Sequence, residues 1–87
     1  MSDLQQDQTR GQRAKDILED PLHKESIQTL KDAYSEAIFQ TGPKDEQART
    51  MIYLAYHTVC KFETHLRTIM ETGILAAKQL EELRKNK

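Results

Sequence analysis

Apolar residues recur at steps of three and four over most of this chain, which is the spacing of one face of an α-helix. In the C-terminal half the steps alternate strictly between four and three, a pattern typical of a helix packed along its length against another helix. We call this row the seam, and its members are Ala48, Ile52, Ala55, Val59, Phe62, Leu66 and Ile69. The pattern predicts a helix over residues 44–72 with the seam buried.

A second helix is predicted over residues 21–40. Its apolar face consists of Ile27, Leu30, Tyr34, Ala37 and Ile38. Asp20 can accept backbone hydrogen bonds as the N-cap, and Pro21 suits the first helical position because its missing N–H needs no partner there. At the other end, Gly42 can adopt the left-handed conformation of a helix end, and Pro43 cannot continue a helix. So short a connection predicts that the two helices lie side by side as an antiparallel helical hairpin.

The N-terminal part of the chain carries only a brief apolar pattern. The residues at helical spacing there are Ala14, Ile17 and Leu18. They predict a short helix over about residues 12–19. Residues 1–11 are rich in Gln, Asp and Ser, so they offer too little apolar area to offset the entropy of ordering them, and we expect a disordered tail. Residues 12–87 then form a single helical domain.

Gly73 allows two interpretations of the stretch ETGILAAKQLEELRKNK. As a left-handed cap it would end the helix, with Ile74 packed back on Ile69 and a separate helix over residues 75–84. As a small seam residue it would lie inside one helix of roughly 40 residues, because a glycine within a helix costs only about 1 kcal/mol relative to alanine. The register does continue, through Ala76, Leu80 and Leu83. We expect the break, and therefore an all-α hairpin with a short N-terminal helix and a C-terminal helical extension after Gly73.

The stretch MIYLAYHTVC, residues 51–60, is apolar or aromatic on nearly every side. A helix of this kind must be covered on more than one side, either by the first helix or by another copy of the chain. Methionine adapts well to such surfaces. The predicted oligomer or partner interface comprises Met51, Tyr53, Leu54, Tyr56 and Met70.

Length and composition favour a small helical domain that associates with itself. A chain of 87 residues buries only about 60 to 65% of the surface that its unfolded form exposes, so its stability margin is small. The single cysteine, Cys60, rules out an internal disulfide and favours a reducing compartment. Because no apolar run of about 18 residues and no apolar signal-peptide centre occurs, we expect a cytoplasmic protein that does not act at a membrane.

Candidate chemistry is sparse. His57 and Cys60 would be neighbours on a helix, but His65 lies about 140° round the helix from Cys60, and no second pair of metal-ligand residues is present. The acidic residues are spread over solvent faces, and the sequence contains no glycine-rich phosphate loop. We therefore expect no catalytic residues, no cofactor and no metal site.

Basic residues form two local groups in a chain whose formal net charge is -1. Cations near a helix C-terminus are favoured by the helix dipole whatever the function, so the group at the C-terminus is weak support for nucleic-acid binding. In the alternative interpretation of the chain, an oligomer would present these groups to phosphates. The residues concerned are Arg13, Lys15, Lys78, Arg84 and Lys85.

Three stretches carry a resemblance to a known group of proteins: ILEDPL before a long helix, KDEQAR after a short break, and TGILAAKQL near the close of the last helix. Over residues 13–83 the chain resembles small all-helical proteins that tailed phages and prophages encode near their packaging and head genes. The resemblance implies a role in virion assembly or genome packaging, in the host cytoplasm or the virion. A small terminase subunit would usually add a DNA-binding helix-turn-helix region, and none is found here.

Taken together, these patterns predict a non-catalytic interaction or assembly protein that acts as a homo-oligomer or with a protein partner. The alternative is a nucleic-acid-associated protein that works through basic patches of an oligomer.

Overall fold

The computed structural model describes residues 2–86, and three helices contain nearly all of them. They are α1, Ser2–Glu19, α2, Pro21–Gln40, and α3, Glu46–Lys85. Within this range no residue is in a strand. The prediction of an all-α fold is therefore confirmed.

The boundary between α1 and α2 is made by the residues that the sequence singled out. The side chain of Asp20 accepts a hydrogen bond of 3.0 Å from the backbone N–H of His23, and Pro21 occupies the first turn of α2. This bond satisfies one of the backbone donors that a helix start leaves without a partner. The predicted N-cap is confirmed.

The connection between α2 and α3 differs in detail from the prediction. No glycine among the described residues has a positive φ, so Gly42 is not a left-handed cap. Instead Thr41 ends α2 in an extended conformation, and its hydroxyl donates a hydrogen bond of 2.6 Å to the carbonyl oxygen of Ile38. Arg49 then fixes the turn by donating to the Thr41 hydroxyl at 2.9 Å and to the Gly42 carbonyl at 3.1 Å.

The predicted break at Gly73 is wrong, because α3 runs without interruption from Glu46 to Lys85. Gly73 lies inside the helix at a point of close contact with α1. A methyl group built on Gly73 would lie only 2.6 Å from the Cα of Gly11 and 2.8 Å from the carbonyl oxygen of Asp7. The glycine is needed for this contact between two helices and not for a turn.

The predicted disordered tail is also corrected by the structure, since α1 begins at Ser2; Met1 lies outside the described residues. The same close contact explains the difference. Gly11 and Ala14 are buried and Leu4 and Asp7 are half-buried, so this part of α1 is ordered by lying against α3 rather than by apolar side chains of its own.

The order of contacts shows how the helices run. Lys31 of α2 forms an ion pair with Glu63, and Thr41 lies beside Arg49. The two helices α2 and α3 are therefore antiparallel. The Lys31 ammonium also donates a hydrogen bond to Glu63, which raises the pKa of Lys31.

The first helix, α1, is also antiparallel to α3. Gly11 contacts Gly73, whereas Leu18 and Glu19 share a groove with Met70, nearer the start of α3. These contacts are consistent with an antiparallel helical hairpin whose first arm is divided into α1 and α2 at Asp20. The molecule measures 67 × 24 × 15 Å, and α3, about 60 Å long at 1.5 Å per residue, spans most of its length.

Candidate interaction surface

The seam of α3 divides into two rows according to what covers it. The inner row consists of Ile52, Val59, Leu66, Gly73 and Leu80, and all of its members are buried or half-buried. The outer row consists of Ala48, Ala55, Phe62, Ile69, Ala76 and Leu83. Each row has one member every seven residues, so each follows a single line along the helix.

The outer row is covered unevenly: Ala55, Ile69 and Ala76 are buried or half-buried, whereas Ala48, Phe62 and Leu83 are exposed. In the C-terminal half, where α1 packs on α3, Ile69 is half-buried and Ala76 is 2% exposed. In the N-terminal half α1 is absent; Ala48 is exposed, and Phe62 is 50% exposed. The prediction that the seam is buried is therefore confirmed for the inner row but wrong for Phe62 and Ala48, because α2 lies to one side of them.

A matching row lies on α2. The rings of His23 and Phe62 are 6.1 Å apart and tilted by 54°, which places His23 beside the outer row. Leu30 and Ala37 follow His23 at steps of seven residues, so they lie on the same flank of α2. Leu30 is 42% exposed. Because the arms are antiparallel, Leu30 and Ala37 follow His23 in the direction of the turn, as Ala55 and Ala48 do from Phe62.

We call this surface the open face, and its residues are Leu30, Ala37, Ala48, Ala55 and Phe62. Three further side chains of α3 lie at its edge, all within about 80° of Phe62 round the helix. They are Met51, Leu54 and Thr58. None of these side chains is charged, and loss of charged residues is the compositional mark of the centre of a protein interface.

The interface residues predicted from the sequence are only partly brought together. Met51 and Leu54 are exposed at the edge of the open face. Tyr53 lies on the opposite side of α3, where its ring stacks on that of His57 with 6.0 Å between centroids. Tyr56 is half-buried, as is Met70, which lines the grooves between α1 and α3. The five residues therefore do not form one surface.

Sequence reasoning missed Leu30 and Phe62 as surface residues because it assigned them to the core of the hairpin. A signal was nevertheless present. His23, Leu30 and Ala37 repeat at intervals of seven residues, as the outer row does on α3. Two rows with the same interval on adjacent helices indicate a shared face beside the one that joins the helices.

The basic residues proposed as phosphate contacts do not form one patch in a single chain. Lys15 lies beside Met70 in a groove between α1 and α3, on the N-terminal side of Gly73. Arg84 is eleven residues beyond Gly73, so it lies roughly 20 Å from Lys15 along the helix axis. Lys85 is paired with Glu81 at 3.5 Å. Arg13 and Lys78 are exposed. Nucleic-acid binding stays a prediction.

We also searched the part of the chain that the structure describes for metal ligands, reactive cysteines and membrane-spanning helices. No three His, Cys, Asp or Glu residues between positions 2 and 86 are grouped as metal ligands. Cys60 is a half-buried free thiol. None of the three helices is apolar over a length sufficient to cross a membrane.

Fold and surface together define the chain as an all-helical protein with an uncovered apolar face. No protein-family model matches it, and neither curated proteins nor solved structures give a match.

Proposed function

We propose that this chain is a non-catalytic assembly protein that acts as a homo-oligomer. The observation that carries the proposal is the amount of surface that a single copy leaves exposed. Its accessible surface is 7035 Å² for a mass of 10.1 kDa. A folded monomer of that mass is expected to expose about 5,300 Å², so the excess is about 1,700 Å².

Several large apolar side chains are exposed. The most exposed of the large apolar side chains is that of Phe39, at 89%, and each of the three helices carries at least one such residue. The other exposed large apolar residues are Ile17, Leu22, Leu30, Met51, Tyr53, Leu54, Phe62, Ile74, Leu75 and Leu83. Single exposed apolar residues are ordinary on monomers, but contiguous groups of them mark interaction sites.

The buried core of one copy is correspondingly small. The buried apolar residues among those described are Ala14, Ile27, Leu66 and Ala76. Two of these four are alanines, which supply little of the apolar area that stabilises a fold. Association would add the missing burial, so folding and assembly support each other in this proposal.

The resemblance to tailed-phage and prophage proteins supplies the biological setting. In that setting the oligomer acts in virion assembly or genome packaging, in the host cytoplasm or within the virion, as a structural part rather than as an enzyme.

Molar mass measured by light scattering over a wide range of concentrations tests the proposal. We expect a multiple of 10.1 kDa that falls toward the monomer value only on dilution. A molar mass that stays at the monomer value at every concentration would contradict the proposal.

A further inference from the structure

A groove between α1 and α3 carries a local excess of positive charge. Arg10 of α1 and His65 of α3 line it, and Arg13 lies beside Arg10 one turn further along α1. All three side chains are exposed. The groove runs along the flank of α1 opposite to the one that carries Lys15 and faces Met70. We call it the basic groove.

The α3 side of the basic groove has no carboxylate over about five helical turns. The residues at steps of three and four along this flank are Lys61, His65, Thr68, Thr72, Leu75 and Gln79. On α1 the half-buried Asp7 lines the groove, and Asp3 is seven residues from Arg10 on the same flank. Near the middle of the groove, the permanent cations Arg10, Arg13 and Lys61 therefore outnumber the carboxylate of Asp7, although the whole chain has a formal net charge of -1.

The cations of the basic groove are not neutralised by their own chain. Within residues 2–86 the ion pairs join Lys31 to Glu63 and Lys85 to Glu81. Arg10 and Arg13 are in neither pair. Charges of this kind are available to an anionic ligand, and binding gains from the release of the ligand's counterions.

The shape and composition of the basic groove fit a row of phosphates. The eleven residues from Lys61 to Thr72 span about 16 Å along the helix axis, which is about five nucleotides of one strand at 3.4 Å each. None of the described residues that line the groove is Phe, Tyr or Trp. Proteins hold single strands largely by stacking bases on such side chains, so the groove favours a duplex, whose bases stay stacked on each other.

We propose that the basic groove binds the phosphate backbone of duplex DNA without sequence preference. Arg10, Arg13 and Lys61 contact phosphates. The Thr68 hydroxyl already donates to the carbonyl oxygen of Thr64 at 2.9 Å, so the further donor on α3 is the hydroxyl of Thr72. This inference goes beyond the proposed function, because an assembly protein needs no nucleic acid. Of the phosphate contacts predicted from the sequence, only Arg13 belongs to the groove.

Fluorescence anisotropy of a labelled short DNA duplex, measured from 50 to 200 mM salt, tests the proposal. Three phosphate contacts for each bound chain give a slope of about -2.7 in log K against log salt, so the affinity should fall about 40-fold over this range. In the double variant Arg10→Gln, Arg13→Gln the slope should be smaller by about two, and the fall should be about threefold. At 50 mM salt this variant should bind at least about tenfold more weakly than wild type.

Two further variants make the test specific to the groove. Arg84→Gln with Lys85→Gln removes the same charge from the far end of α3, and its affinity should stay within about twofold of wild type. Asp7→Asn removes the carboxylate from the groove and should tighten binding severalfold. Circular dichroism checks that each variant keeps its helix content.

Three results would overturn the inference: no binding of the duplex at 50 mM salt, equal losses in the two double variants, or a single strand bound as tightly as the duplex. The proposed function is tested separately, because the molar mass is measured without DNA. Failure of one therefore leaves the other standing.

Discussion

Two glycines determine how closely α1 approaches α3. In most helices a glycine is a weakness, costing about 0.5 to 1 kcal/mol relative to alanine. Here Gly11 and Gly73 stand opposite each other. A methyl group on Gly11 would lie 2.6 Å from the Cα of Gly73 and 3.1 Å from the carbonyl oxygen of Ile69. Since the obstructing atoms belong to the backbone, they cannot move aside as the tip of a flexible side chain would.

Gly73→Ala should therefore destabilise the protein although alanine is the better helix former. Overpacking of a tight contact typically costs about 1 to 3 kcal/mol, which exceeds the gain in helix propensity. The check is the free energy of unfolding from urea denaturation, with wild type and variant at one protein concentration because association contributes to stability.

Gly42→Ala is the matched control for that experiment. Its nearest neighbour would be a carboxylate oxygen of Asp45 at 3.5 Å, an ordinary contact, so we expect a change within about 0.5 kcal/mol. If Gly73→Ala proved as stable as the wild type or more so, the close approach of α1 to α3 would be wrong.

At the scale of the helices, the important feature is that the first arm is divided. α1 covers both rows of the seam, at Gly73 and at Ala76, whereas α2 packs to one side and leaves Phe62 and Ala48 of the outer row exposed. An unbroken helix could not readily serve both positions. The division at Asp20 and Pro21 lets the chain change sides, and the N-cap bond from Asp20 stabilises the start of α2 at that point.

Asp20→Ala should weaken this junction. Loss of an N-cap side chain typically costs about 1 kcal/mol, so we expect the free energy of unfolding of the variant, measured by thermal denaturation, to fall by about this amount. Asp20→Asn keeps an oxygen that can accept the same bond from the N–H of His23, so its stability should stay within a few tenths of a kcal/mol of wild type. Equal losses in both variants would mean that the cap is not the source of the effect.

The elements that the sequence predicts well are those whose signals are local. α2 is bounded by Asp20, Pro21 and Thr41-Gly42-Pro43, and its limits agree with residues 21–40. The inner row of α3 follows from the spacing of apolar residues alone. By contrast, the order of residues 2–11 and the continuity of α3 through Gly73 depend on a contact between two glycines far apart in the sequence. The sequence around Gly11 and Gly73 does not indicate that the two glycines are in contact.

The interaction surface is predictable only in part for a related reason. Apolar spacing shows that a residue must be covered, but it does not show by what. Phe62 belongs to the same pattern as Ala76, yet Phe62 is 50% exposed and Ala76 only 2%, because α1 reaches Ala76. Met51 and Leu54 were found because their stretch is apolar all round, and Tyr53 was included with them although it lies on the back of α3.

At the scale of the whole molecule, the protein is a thin, extended hairpin rather than a closed domain. Along its length of 67 Å, α3 has two sides that need cover. α2 covers the inner row over the first half, and α1 covers both the inner row at Gly73 and the outer row at Ala76 over the second half. The central claim is that a second copy covers what α2 leaves open.

The most direct test of that claim is the molar mass of Phe62→Glu beside that of Tyr53→Glu, measured by light scattering with circular dichroism to confirm that both remain helical. Both substitutions replace a half-exposed aromatic residue of α3 by a charge, but only Phe62 lies on the open face. A buried, unpaired carboxylate is strongly unfavourable in an interface. We predict that Phe62→Glu has the monomer mass of 10.1 kDa at concentrations where Tyr53→Glu and the wild type are oligomeric. A helical Phe62→Glu variant that retains the mass of the wild type would contradict the account.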